Sequence, residues 1–96
     1  MAEIIWTALA VADLQSIYDY IALDSTFYAN RYIDKLVERV EILRINSHAG
    51  RIVPEFSNPA LRELIEGNYR IVYKLHAKDT VSIVRVHHSA RLLKSV

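Results

Sequence analysis

At 96 residues, with 52 % hydrophobic and 24 % charged side chains, the chain has enough for one hydrophobic core, which excludes a second domain, a disordered tail or a linker. The absence of cysteine excludes a disulfide framework and a thiolate zinc site. No basic-then-apolar leader and no apolar run of about 18–20 residues occurs, so the cytoplasm is the expected location, with no membrane contact. The net charge of +1 hides an asymmetry: residues 1–47 carry four Lys/Arg against seven acids, a balance of −3, and residues 48–96 carry eight against four, a balance of +4.

Glu3-Ile4-Ile5-Trp6 is short, β-branched and aromatic, and reads as a strand. Thr7 follows as an N-cap. Ala10, Leu14, Ile17, Tyr18 and Ile21 recur on one helical face, which predicts a helix from Ala8 to Leu23. Asp24-Ser25-Thr26 interrupts the pattern and caps the next helix. Ala29, Ile33, Leu36, Val40 and Leu43 then repeat with helical period, supported by Tyr32 and Val37, over about five turns. Ser47-His48-Ala49-Gly50 ends that helix, with Gly50 as a left-handed terminator.

The period changes in the second half. Arg51-Ile52-Val53 is strand-like and stops at Pro54. A loop at 56–59 precedes a strand over Leu61 to Ile65. Glu66-Gly67-Asn68 signals a tight turn. Tyr69 to Leu75 alternates, with Tyr69, Ile71, Tyr73 and Leu75 on one side and Arg70, Val72, Lys74 and His76 on the other. Ala77-Lys78-Asp79 makes the next turn, and Thr80 to His88 is the last strand. The order β-α-α-β-β-β-β predicts a two-layer α+β fold, an antiparallel helix hairpin on one face of a mainly antiparallel sheet. The other face has no element left to cover it, so it should be solvated or bind something.

If the apolar sets face the helices, Arg70, Lys74, Arg85 and His87 share the open face, and Arg62 joins them from the neighbouring strand. Guanidinium groups beside an imidazole suit phosphate, since arginine binds it bidentately and stays charged. An acidic protein partner, or a surface merely kept soluble by cations, fits the same pattern. His87 and His88 are adjacent on a strand, point to opposite faces and do not share a metal ion. His48 and His76 fall in or beside loops without ligand spacing. Ser82 is expected to face the core with Val84, and no Gly-framed nucleophile elbow or Gly-rich phosphate loop occurs. No metal or other cofactor is expected. A metal-free ribonuclease remains chemically open, with His87, His88 and Glu55 moving protons and Arg62, Arg70, Lys74 and Arg85 supplying charge.

The run Trp6-Thr7-x-x-Ala10-x-x-Asp13-Leu14-x-x-Ile17-x-x-Tyr20-Ile21, then Gly50-Arg51-x-Val53-Pro54-Glu55, Leu61-Arg62-Glu63-Leu64, Tyr69-Arg70-Ile71-Val72-Tyr73 and Val86-His87-His88-x-x-Arg91-Leu92, resembles the RelE/ParE superfamily of bacterial toxins over nearly the whole chain. The resemblance implies the toxin of a type II toxin–antitoxin operon, a cognate antitoxin that silences it, and contact with operator DNA only through their complex. Two activities occur in such a family: inhibition of DNA gyrase in the ParE-like branch, and metal-free cleavage of messenger RNA in the ribosome in the RelE-like branch. Family nucleases commonly carry a late aromatic, and this chain has none after Tyr73. Its ending, His88 followed by Arg91-Leu92, is similar to the ParE pattern, so gyrase inhibition without catalysis is the expectation and the nuclease the alternative. Arg70 and Arg85 match positions that are cationic in both branches, and His87 and His88 fall near a catalytic histidine of some nucleases. The residues expected to bind target or antitoxin are Arg62, Arg70, Lys74, Arg85, His87 and Arg91; those expected to act in a nuclease are Arg70, Arg85, His87, His88 and Glu55. Trp6 is expected in the core.

Overall fold

A computed structural model describes residues 1–90 and Leu93. β1 (Glu3–Trp6) leads into α1 (Ala8–Ala22) and α2 (Thr26–Val40), the latter tightening into a 3-10 turn at Glu41–Arg44. β2 (Arg51–Ile52), β3 (Leu61–Glu66), β4 (Tyr69–His76) and β5 (Thr80–His88) complete the fold. The caps lie where the residue types place them: the Thr7 hydroxyl accepts from the Ala10 N–H and the Ser25 hydroxyl from the Tyr28 N–H. The second helix is shorter than its apolar pattern predicts, because its last stretch winds as 3-10.

The sheet order is β1-β5-β4-β3-β2, with β1 parallel to β5 and every other pairing antiparallel. α1 lies over β5 and α2 over β3. Ala10, Ile17, Leu36, Val40 and Leu43 from the helical segments meet Leu64, Ile71, Tyr73, Val81, Ile83 and Val86 from the sheet. The predicted apolar faces therefore build the main core, with Trp6 packed against it. Val37 is an exception and is exposed.

Two glycines mark close approaches. Gly67 adopts a φ of +57° in the two-residue turn between β3 and β4, where a glycine tolerates what an L side chain resists. Gly50 is not the left-handed terminator expected of it; it is absent from the positive-φ residues. A Cβ at Gly50 would lie 2.5 Å from the Glu63 carbonyl oxygen and 2.8 Å from the Tyr73 ring. The loop thus presses its backbone onto the sheet, and the Tyr73 hydroxyl holds it there, accepting from the Gly50 N–H (2.9 Å) and donating to the Ser47 carbonyl (2.8 Å). Burial raises the Tyr73 pKa, so its proton stays on and remains available to Ser47.

The far face of the sheet is not bare. Val53, Leu61, Val72 and Leu93 form a second buried cluster, with Phe56 and Val84 packed against it. The loop after β2 and the residue Leu93 fold over this side, which corrects the expectation of an uncovered face. Ser82 does not face the core with Val84; it pairs with Lys74 and bonds His76 at 2.9 Å. The β4–β5 register steps from Val72–Arg85 to Tyr73–Ile83, leaving Val84 as an extra residue. Val84 keeps the face of Ser82 and packs on the far-side cluster, while the bulge reverses the alternation beyond it, so that Val86 as well as Ile83 faces the main core.

Candidate functional site

The expected cationic cluster is dispersed. Arg70 lies on the far face, as its alternation with Ile71 and Tyr73 predicts, but it is 5 % exposed rather than displayed. Its Nε donates to Glu63 Oε1, and its two terminal nitrogens fork onto Glu55, all at 2.6 Å. Glu63, 1 % exposed, also accepts from Arg51 Nε at 2.6 Å. Among the described residues, two guanidiniums and two carboxylates thus form one charge-balanced network. A buried charge is tolerable only when so paired.

Glu55 reaches this position because the turn after β2 winds back on itself: the Phe56 and Ser57 N–H groups both donate to the Val53 carbonyl. The Arg70 fork, aided by the Leu93 N–H, holds the Glu55 carboxyl down to about 2. The same fork raises the Arg70 pKa, despite the opposing cost of burial. Arg70 therefore remains charged and engaged.

Arg85 does not share this site, which corrects its placement beside Arg70. At the bulge its side chain is drawn to α1, where Nε and Nη2 donate to Asp13 at 2.8 and 3.2 Å. Asp13 also accepts from the Val86 N–H at 2.9 Å. The Asp13 hydrogen bond raises the Arg85 pKa. Arg62 is likewise absent from the far face. It pairs across from Tyr73, a core residue on the helix side, and donates to the Pro59 and Gly50 carbonyls, both at 3.1 Å. Strand partners share a face, so Arg62 joins loops rather than lining a site.

Lys74 is exposed, on the alternation of Arg70, and forms no ion pair among the described residues. His87 stands opposite Arg70 in the β4–β5 register. His88 pairs with Tyr69 on the helix side, ring centroids 5.4 Å apart and edge-on. Arg91 lies outside the described residues. Far-face chemistry therefore comprises Arg70, Glu55 and Lys74, with His87 beside Arg70 in the register. Arg85, His87 and His88, three of the residues expected to act in a nuclease, nevertheless border one groove of about 750 Å³ at the end of β5, together with Asp13, Tyr20 and Tyr69.

Glu63 and Asp13 are the partners that sequence reasoning missed. A signal for Glu63 was present: a two-residue turn at Gly67-Asn68 sets Glu63 opposite Val72 and Ile65 opposite Arg70, putting Glu63 diagonally beside Arg70 on one face. Nothing local announces Asp13, which lies 72 residues from Arg85.

Residues 4–93 match the family model described as the ParE toxin of the type II toxin–antitoxin system parDE. Toxin RelE2 of Caulobacter vibrioides is 35 % identical over 92 residues, covering 96 % of this chain and 100 % of that protein. Among solved structures, the chromosomal ParDE toxin–antitoxin system from P. aeruginosa superposes with a TM-score of 0.75 at 26 % identity, over 92 % of this chain and 96 % of that one. The toxin–antitoxin complex RelBE2 from Mycobacterium tuberculosis shares the fold, with a TM-score of 0.66 at 21 % identity over 91 % and 96 %. Two helices over one face of a five-stranded sheet, and a sequence match along nearly its full length, place the chain in the ParE toxin family of type II toxin–antitoxin systems, within the RelE/ParE superfamily.

Proposed function

We propose that this toxin disables its target by binding rather than by cleavage, that the target is DNA gyrase, and that a cognate antitoxin neutralises it in the cytoplasm. One observation carries the non-catalytic reading: the guanidiniums are consumed internally, Arg70 by Glu55 and Glu63 and Arg85 by Asp13. Metal-free RNA cleavage needs a base, an acid and cations turned toward a phosphate. A carboxyl held to about 2 donates no proton near neutrality, and the oxygens of Glu55 are already engaged by Arg70 and the Leu93 N–H. His87 and His88 border one groove with Arg85, but the Arg85 guanidinium there is held by Asp13 rather than turned toward a phosphate.

An antitoxin partner is supported by the likeness to the P. aeruginosa ParDE system. The exposed Tyr20, Leu23, Phe27 and Tyr28 around the helix turn offer apolar area of the kind that protein partners cover. Operator DNA would then be reached only through the antitoxin. The second reading, ribosome-dependent cleavage of messenger RNA, is favoured by the name of the Caulobacter relative, RelE2.

Purified protein added to a gyrase supercoiling reaction is expected to inhibit it or to trap cleaved DNA. Unchanged supercoiling at excess toxin overturns the gyrase target. Messenger on translating ribosomes is expected to stay intact; cuts in register with codons, lost in Lys74→Ala or His87→Ala, would establish the second reading instead. Arg70→Ala does not serve as the probe, because it removes a buried structural charge.

A further inference from the structure

The far face carries a contact that toxicity by target binding does not explain. Leu93 is 3 % exposed and belongs to the cluster of Val53, Leu61 and Val72. Its backbone N–H donates to Glu55 Oε2 at 2.9 Å, the same oxygen that takes Arg70 Nη1 at 2.6 Å. One residue is thus held at two points of different chemistry: an apolar side chain in a socket, and an amide on a carboxylate. That carboxylate is aimed by Arg70, which is itself fixed on its other edge by Glu63 at 2.6 Å.

We propose that Arg70 and Glu55 form an internal receptor that seats Leu93 on the far face, so that Arg70 acts here as a positioning residue through Glu55. The seated leucine closes the socket and completes the coordination of Glu55. Its release bares Val53 and Val72 and removes a charge-assisted hydrogen bond, turning a covered neutral patch into an apolar one. Occupancy by one side chain thereby sets the character of this side of the sheet. A purely packing role for Leu93 would make its amide indifferent to the charge at residue 55. A receptor makes the amide and the carboxylate interdependent, because the carboxylate accepts strongly only while ionised and held by Arg70.

Amide hydrogen exchange of the full chain separates these cases. In Glu55→Gln, exchange at the Leu93 amide is expected to accelerate by roughly 10- to 100-fold, the range for weakening one hydrogen bond to a charged group, while the Ile71 and Val86 amides keep their protection. Arg70→Lys, which keeps the charge and loses the fork, is expected to accelerate Leu93 exchange less than Glu55→Gln does. Leu93→Ala leaves the ion network in place and is expected to raise binding of an apolar dye to the folded protein. An unchanged Leu93 amide in Glu55→Gln, loss of protection in equal measure at Ile71 and Val86, or unchanged dye binding in Leu93→Ala each overturns the proposal. None of these measurements involves gyrase, so the outcome is independent of the target.

Discussion

At the scale of the residue, the far-face network decides what Arg70 is for. A guanidinium buried to this degree has no water to fall back on, so each lost carboxylate leaves an uncompensated charge. Glu63→Ala is expected to destabilise the fold by about 3–5 kcal/mol, the usual cost of removing one partner of a buried pair. Glu63→Gln should cost less, because it keeps the volume and one acceptor; urea unfolding with tryptophan fluorescence from Trp6 measures both. Glu55 adds a pH dependence of definite sign. Its pKa falls from an ordinary 4.5 to about 2, so its contribution is present in full above pH 4.5 and fades as the pH drops toward about 2. The urea midpoints of wild type and Glu55→Gln should therefore differ most near neutrality and converge in acid. Parallel curves across that window would show that the carboxylate is not held by its charge. The sequence displayed Arg70 and Glu55 of this network, but as separate features, a strand cation and a loop acid. The hairpin register would have joined Glu63 to Arg70; only the fold of the loop brought Glu55.

At the scale of the element, Asp13 ties α1 to the bulge in β5. Its carboxylate takes two Arg85 N–H groups and the Val86 N–H, so one side chain satisfies a backbone donor next to the irregular pairing and anchors the helix above it. Asp13→Ala should cost about 1–3 kcal/mol through the hydrogen bonds left unmade. It should also raise amide exchange locally, in α1 and at Val86, before it does so in the β3–β4 hairpin. Uniform loosening of the molecule would argue against a local clamp. Helix positions were legible because Thr7 and Ser25 cap them and the apolar residues repeat at helical spacing, signals carried within a few residues. The bulge was not. A single extra residue at Val84 reverses the alternation beyond it, and no local pattern of valines distinguishes a bulged strand from a regular one.

At the scale of the whole molecule, the charge asymmetry along the chain is partly cancelled in space. Arg85 of the basic half meets Asp13 of the acidic half, Arg39 of the acidic half approaches Glu66 at 4.0 Å, and Arg51 and Arg70 are matched within their own half by Glu55 and Glu63. Polyanion binding draws on cations free to displace counterions. The protein is therefore expected to show no measurable retention on immobilised heparin at about 0.15 M salt, where a chain with a displayed phosphate-binding face would be held. Retention lost on Lys74→Ala would restore an anion-binding role to the far face.

The sequence by itself determined the element order, the two helix caps, the apolar helix faces and the strand alternation about Tyr69–His76, because each depends on residues a few positions apart. Tertiary structure alone decided that Arg70 is buried, that Arg85 turns to α1, and that the loop after β2 and Leu93 cover the far face. Those outcomes depend on which distant carboxylate reaches which guanidinium, and a charge in a linear chain carries no mark of the partner that folding will bring to it.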